Sequence, residues 1–144
     1  MDHPIGGGEG DISAILEHLT IERRDGIYVY VCPSSDLILD AAATIEEDEG
    51  TTYVVERATA ESLGLEWSFE AAWLTVEAHS ALDAVGLTAA LTTALADACI
   101  ACNVLAGFHH DHLLVPRDRV DDAMAALQSL RHDAEHRLAS APPT

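Results

Sequence analysis

The chain has 144 residues, of which 49% are hydrophobic, and its formal charge of −18 reflects 25 acidic residues against seven arginines and no lysine. This length fits one compact domain or two small subdomains that share a core, and the apolar content excludes intrinsic disorder. So acidic a surface repels nucleic-acid phosphates and anionic lipids, which argues against a nucleic-acid or membrane partner.

Several features indicate the cellular setting. The chain has an odd number of cysteines, Cys32, Cys99 and Cys102, and its N-terminus lacks the basic and then apolar pattern of a secretory signal. We therefore expect reduced thiols and a cytoplasmic location. No apolar run is long enough to span a membrane. Residues 1–12 are expected to form a flexible leader. The dense carboxylates and missing lysine are typical of a salt-rich cytoplasm, so we expect a halophilic source.

The first quarter of the chain contains a helix pattern followed by strand patterns. The segment DISAILEHL begins with an N-cap residue, Asp11, and carries apolar residues at helical spacing. In TIERRDGIYVYVCP, the Asp25-Gly26 pair lies between two strand-like segments and indicates a hairpin. DLIL, residues 36–39, indicates the start of a short helix.

The next segments complete the first half. AAATIEEDEGTTYVVE predicts two strands that turn at Glu49-Gly50. ATAESLGL predicts a short helix that ends at Gly64, where a left-handed residue is expected.

The second half has the same order of elements at greater length. WSFEAAWLTVEAH predicts a long strand, and the following helix carries Leu87, Leu91, Leu95 and Ala98 on one face. IACNVLAG and HLLVP predict two strands joined by a histidine-rich turn. The last helix turns four apolar residues inward: Val120, Met124, Leu127 and Leu130.

This order predicts an α+β fold of the ferredoxin-like βαββαβ type in tandem, with helices packed on antiparallel sheet. The expected subdomains are residues 13–66, which are short and degenerate, and 67–138, followed by a disordered tail over 139–144. The second subdomain lacks a fourth strand, and an open sheet edge favours aggregation. TIERR, residues 20–24, is the remaining candidate, so we expect it to pair there and to interlock the halves.

The cysteines and histidines raise the question of a metal site. Cys99 and Cys102, followed by His109 and His112, are four residues of the types that bind zinc. However, the cysteines fall at a helix end and the histidines in a turn, and successive strand residues point to opposite faces. The alternatives are buried apolar cysteines and a polar turn.

The stretch HSALDAVGLTAAL, residues 79–91, joins a strand to a helix. Gly86 permits close backbone approach, and the first N–H groups of the helix are free to hold an anion. The alternative is an ordinary helix start capped by Ser80 or Asp83.

This stretch and NVLAGFHHDHLLVP, residues 103–116, resemble the signature of small ACT-like proteins, a group related to the eukaryotic cytosolic arginine sensors. The family pattern reads approximately HSSLEAVGLTAA, then a helix, then NVVAGYYHDHIFVP. EEDEGTTYVV, residues 46–55, also matches the family's acidic turn before a strand. The resemblance spans roughly residues 14–131 and implies two tandem ACT-like subdomains that bind a small ligand, often an amino acid.

The resemblance also implies which residues bind the ligand. The implied residues are His79, Ser80, Ala81, Leu82, Asp83, Ala84, Val85 and Gly86 in the loop, with Asn103 and Val104 on the neighbouring strand. His110, Asp111 and His112 match the HDH of the family, and this indicates a structural turn in which Asp111 accepts turn N–H groups and a histidine bonds backbone across the sheet. His109 replaces an aromatic residue and Ala81 replaces a serine.

We therefore expect a non-enzymatic regulatory module without a cofactor or resident metal. It would bind an amino acid at a subdomain or dimer interface and form a homodimer. One alternative is a protein–protein assembly module without ligand. A less favoured alternative is a zinc protein that uses Cys99, Cys102, His109 and His112.

The charge balance predicts that salt stabilises the protein. Raising KCl from about 0.1 M to 1 M shortens the screening length from about 10 Å to about 3 Å and weakens carboxylate repulsion. We expect the free energy of unfolding to rise by about 1 kcal/mol and the melting temperature by about 4 °C. Replacing Glu46 and Glu47 by glutamine should reduce this gain. A melting temperature that falls or stays constant with salt would contradict the prediction.

Overall fold

The computed structural model describes residues 9–78 and 85–143. Its helices and strands in chain order are α1 (Glu9–Glu17), β1 (Thr20–Val31), β2 (Ala43–Glu47), β3 (Gly50–Glu56), α2 (Arg57–Ser62), β4 (Ser68–Glu77), α3 (Leu87–Asp97), β5 (Asn103–Ala106), β6 (Asp111–Pro116) and α4 (Val120–Ser140). A 3₁₀ turn over Arg117–Arg119 leads into α4.

The six strands form one antiparallel sheet in the order β2-β3-β1-β4-β6-β5. The central strands β1 and β4 belong to both halves of the fold. The start of β1 pairs with the end of β4, where Thr20 lies opposite Glu77, whereas its later part pairs with β3 as well. The predicted α+β fold with tandem ferredoxin-like units is confirmed, and so is the pairing of residues 20–24 with the second-half sheet.

The hairpin predicted at Asp25-Gly26 is wrong, because β1 continues through both residues. Gly26 has φ +100°, and the register with β4 shifts between Arg24 and Tyr28. Positive φ suits a turn and an irregularity within a strand equally well, and glycine adopts it at low cost. This irregularity lets one strand serve both halves of the sheet.

The short helix predicted at residues 36–39 is also wrong, since residues 32–42 form neither helix nor strand. The Tyr53 hydroxyl donates to the Leu37 carbonyl and accepts from the Leu37 N–H, both at 3.2 Å. Thr51 Oγ1 donates to Asp36 at 2.8 Å. These bonds replace the helical ones, and so short a helix is costly to nucleate alone.

Other predictions agree with the structure to within a few residues. Strands β2 and β3 turn at residues 48–49, and Gly64 follows α2 with φ +64°. Helix α1 begins at Glu9, inside the predicted leader 1–12, and α4 extends to Ser140, inside the predicted tail.

The main core lies between one face of the sheet and helices α1, α3 and α4. Leu74 and Leu113 of the sheet and Leu91, Leu95 and Leu127 of the helices are fully buried there. On the same face, α2 covers a smaller cluster around Val29 and Val55. A third cluster, on the opposite face, consists only of strand residues: Tyr28, Tyr30, Ala43, Val54, Phe69, Ala71, Trp73, Leu105 and Leu114.

The shared strand predicts that the second half does not fold alone. A fragment of residues 66–144 lacks β1 and the buried Leu16 and Leu19 of the α1 region, so the β4 edge and part of the core become exposed. We expect no cooperative urea unfolding transition for this fragment, whereas the full chain shows one. A monomeric fragment with a cooperative transition would contradict the interlocked arrangement.

Candidate functional site

A pocket of about 490 Å³ lies at the end of the sheet where β1 begins and β4 ends. Its volume is within the range of about 300–1,000 Å³ that is usual for small-molecule sites. The residues that line it are His18, Thr20, Glu77, Ala78, His110 and Arg131.

The fold brings these six residues together from distant parts of the chain. Helix α1 ends at Glu17, and β1 begins at Thr20. Leu19 between them is buried, and His18 and Thr20 lie on either side of it. Thr20 lies opposite Glu77 in the register of the central strands. His110 belongs to the β5–β6 turn, and Arg131 reaches the pocket from α4.

The pocket contains charges of both signs. Arg131 donates from Nε to Glu135 at 3.1 Å, with its side chain 46% exposed. In the part of the chain that the structure describes, Glu77 has no cationic partner. His18 lies 3.9 Å from Glu17. Such a site offers both an anion and a cation to a ligand.

The predicted binding loop adjoins this pocket only in part. His79, Ser80, Ala81, Leu82, Asp83 and Ala84 lie outside the described residues. Ala78, which precedes them, lines the pocket, and Val85, which follows them, is 70% exposed.

Gly86 caps helix α3 in the left-handed region, with φ +100°. A Cβ at this position would lie 2.9 Å from Cδ1 of Ile12. The close approach predicted for Gly86 is therefore present, but it is an approach to α1. Any larger residue would disturb helix packing as well as a ligand, so Gly86 is a poor position for testing ligand binding.

The other two predicted ligand residues do not line the pocket. Asn103 begins β5 at the end far from the turn, is exposed, and pairs with Leu114. Val104 packs against the main core. Neither residue lines the pocket with His110 and Glu77, because both lie toward the end of β5 that is far from the β5–β6 turn.

The histidine-rich turn separates its three predicted residues. The His110 carbonyl accepts the Gly107 N–H at 2.9 Å, and the rest of His110 lines the pocket. Asp111 already belongs to β6, opposite Val76. The expectation that Asp111 accepts turn N–H groups is wrong, since among the described residues nothing donates to its side chain.

His112 bonds across the sheet, but to side chains and not to backbone as expected. Trp73 Nε1–H donates to His112 Nδ1 at 3.1 Å, and Thr75 Oγ1 lies 3.1 Å from the same nitrogen. Because an indole N–H only donates, Nδ1 accepts and the proton of the neutral ring is on Nε2. Arg24 covers Trp73 from 5.0 Å above the ring.

These surroundings favour neutral His112. Burial lowers the pKa of His112, the positive charges of His110 and Arg24 lower it further, and Asp111 opposes them. A proton on Nδ1 would also face the Trp73 N–H and abolish that bond.

The structure does not assemble the four residues of the zinc alternative. Cys99 and Cys102 precede β5, whereas His109 and His112 follow it, and four strand residues span about 13 Å. Burial raises the pKa of the Cys102 thiol, which disfavours the thiolate that binds zinc. Within residues 9–78 and 85–143, no three His, Cys, Asp or Glu side chains are placed to hold a metal ion.

A second groove, of about 610 Å³, lies between α3 and α4. Small residues line most of it, including Ala89, Ala94 and Ala126, and its charged residues, Asp97 and Asp133, are both acidic. It lacks the mixed charges of the first pocket.

No described helix is long and apolar enough to cross a membrane.

Sequence reasoning missed His18, Thr20, Glu77 and Arg131 as site residues. They come from three segments that no local motif connects. The register of β1 against β4 was the available signal, because pairing residues 20–24 with the end of β4 places Thr20 beside Glu77.

Two family models match the chain, and both are described as the ACT domain. One matches residues 7–72 and the other residues 68–129. No curated protein sequence matches the chain significantly.

Solved structures are similar over most of the chain. A Vibrio cholerae protein of unknown function, described as a possible transport protein, is 35% identical with a TM-score of 0.77, and the alignment covers 84% of this chain and 96% of that one. A protein from Agrobacterium tumefaciens is 18% identical, with a TM-score of 0.64 and coverage of 78% and 89%. The regulatory subunit of aspartate kinase from Thermus flavus is 10% identical, with a TM-score of 0.54 and coverage of 78% and 95%. The last two show similarity of fold.

The His112 environment predicts a loss of stability in mild acid. Because the pKa of His112 is lowered in the folded protein, the unfolded chain binds this proton first as pH falls below about 6.5. Neutral His112 therefore contributes fully to the free energy of unfolding above about pH 6.5. Below that pH its contribution falls, by at most about 1.4 kcal/mol per pH unit.

The measurement is urea unfolding of wild type and His112→Gln between pH 7.5 and 5. The difference in unfolding free energy between the two should narrow as pH falls. His136→Gln, at an exposed position on α4, is the control and should keep the wild-type pH dependence. A constant difference between wild type and His112→Gln would contradict the assignment.

Proposed function

The chain belongs to the ACT domain family, and we propose that it is a non-enzymatic regulatory module that binds a small ligand, an amino acid. The observation that carries this proposal is the pocket at the end of β1 and β4, with its mixed charges. The loop predicted to bind ligand leaves β4 directly after the pocket residue Ala78. The fold likeness to aspartate kinase regulatory subunits supports a regulatory role.

The proposed site differs from the predicted one in its contacts. Its walls come from His18 after α1, the central strands, the β5–β6 turn and α4, so a ligand there would touch both halves. Binding would then favour the arrangement in which those elements are docked together, and this is how a ligand stabilises one state of a regulatory module.

An assembly module remains the competing proposal. Strands β2 and β5 are the edges of the described sheet, and β5 carries no charged residue that would discourage pairing. Phe108, in the turn beside the pocket, is 80% exposed. We propose a homodimer on these grounds, and light scattering at high salt tests it independently of ligand binding.

We expect at least one of the twenty L-amino acids to raise the melting temperature in a thermal-shift screen at about 10 mM and high salt. A dissociation constant of about 100 μM would add about 2.7 kcal/mol to the free energy of unfolding. His110→Ala, in the pocket wall, should reduce the shift, whereas Thr93→Ala, in the α3–α4 groove, should not. If no amino acid changes the melting temperature, the ligand-binding proposal is wrong and the assembly module is favoured.

A further inference from the structure

The Nδ1 nitrogen of His112 has two hydrogen-bond partners within reach on strand β4. Trp73 Nε1 and Thr75 Oγ1 each lie 3.1 Å from it. The two partners differ in chemistry, because an indole N–H only donates, whereas a hydroxyl donates or accepts. Trp73 can therefore bond only to an unprotonated Nδ1, and Thr75 can bond to Nδ1 in either protonation state.

The opposite edge of the His112 ring faces the β5–β6 turn. The register sets His112 between Thr75 of β4 and Leu105 of β5. A Cβ at Gly107 would lie 3.3 Å from His112 Nε2, so the turn approaches this edge of the ring closely. The ring is thus enclosed by two strands and a turn, and a change in its protonation acts on the bonds at Nδ1.

Charged and titratable groups surround His112 on β1, on β4, in the β5–β6 turn and on β6: Glu22, Arg24, Glu77, His110 and Asp111. Strand β5 contributes only the apolar Leu105 opposite the ring. Burial lowers the pKa of His112, His110 and Arg24 lower it further, and Asp111 opposes them. Protonation of the folded protein at this position therefore occurs below about pH 6.5, the ordinary value for histidine.

We infer that one proton from solvent makes His112 exchange its hydrogen-bond partner on β4. The neutral ring accepts from Trp73 Nε1–H at Nδ1 and keeps its own proton on Nε2. When Nδ1 takes up a proton, the charged ring donates from Nδ1 to Thr75 Oγ1, and the Trp73 N–H loses its acceptor. This exchange is a pH-sensitive switch within the pairing of β4 with β6. It requires no ligand and is independent of the proposed function.

The switch acts on a buried aromatic contact. Trp73 is 3% exposed, and its ring centroid lies 5.1 Å from that of Tyr28 on β1. Among the described residues, Trp73 Nε1–H has no acceptor other than His112. A buried donor without an acceptor is unfavourable, so protonation weakens the packing of Trp73 against Tyr28. The proton on β6 is thereby felt on β1, the strand that both halves of the sheet share.

Nuclear magnetic resonance of the full chain between pH 7.5 and 5 tests the exchange. The chain has two tryptophans, and Trp67→Phe, at a position 36% exposed, distinguishes their indole N–H signals. His112→Gln identifies the His112 imidazole signals. In wild type, the Trp73 indole N–H should lose its hydrogen-bonded, downfield position with the same midpoint at which His112 Nδ1 becomes protonated. The Trp67 signal should not move with that midpoint.

Thr75 variants distinguish the exchange from a simple loss of the Trp73 bond. If Thr75 accepts from the charged ring, Thr75→Val removes this acceptor, and His112 should titrate at lower pH than in wild type. If the hydroxyl only donates to the neutral ring, the same variant titrates at higher pH. Thr75→Ala leaves the ring more solvated and should still shift the titration to lower pH. Thr75→Ser keeps the hydroxyl and is the matched control, with the wild-type midpoint.

Trp73→Phe should shift the His112 titration to higher pH, because the neutral ring loses its donor while an aromatic side chain remains. Urea unfolding at pH 7.5 checks that this variant folds, and the Thr75 series decides on its own if it does not. The inference is wrong if Thr75→Val titrates at the wild-type pH or above it. It is equally wrong if the Trp73 N–H signal keeps its position after His112 is charged.

Discussion

The antiparallel pairing of β1 with β4 is the interaction on which the rest of the structure depends. Each of these strands is long enough to complete two four-stranded units, so a single sheet contains both repeats. The register of β1 against β4 shifts twice, between Arg24 and Tyr28 and between Tyr28 and Tyr30, and Gly26 lies in the first shift.

The same pairing creates the pocket. Strand β4 ends beside the start of β1. The segment that enters β1 and the segment that leaves β4 therefore lie next to each other at this end of the sheet and must run in different directions. One connection comes from α1 through His18, and the other leaves through Ala78. Helix α4 closes the helix side with Arg131. The site is therefore a product of topology, and residues far apart in the sequence supply its charges.

Periodicity in the sequence was sufficient to predict most of the fold. Strand alternation, short apolar runs and helical spacing located β2, β3, β4, β5, β6 and the four helices. Strand β6 was found as an apolar run, because it buries three successive residues, Leu113, Leu114 and Val115. Two local signals failed for physical reasons. The Asp25-Gly26 pair indicates a residue with positive φ, which occurs both in turns and in strand irregularities. In the segment 36–39, the backbone of Leu37 forms hydrogen bonds with the Tyr53 hydroxyl in place of helical hydrogen bonds.

The candidate site was less predictable than the fold. His110 was recognised because it belongs to a compact motif, although it lines a pocket and does not merely build a turn. Glu77 and Arg131 have no motif around them, and only three-dimensional register brings them together. His112 was recognised as structural, but its partners, Trp73 and Thr75, lie on another strand, and sequence spacing could not identify them.

Most of the arginines of this acidic chain contact specific partners. Arg57 and Arg117 both pair with Glu70, and Arg119 donates to the carbonyls of Ala98 and Cys99 at the end of α3. Exposed ion pairs contribute little to stability, so these contacts matter mainly by fixing which elements meet. Arg24 lies over the rings of Tyr28 and Trp73, at 5.4 and 5.0 Å from their centroids, and makes cation–π contacts with both. Arg131 follows the same pattern, because its bond to Glu135 at 3.1 Å holds the guanidinium at the wall of the pocket.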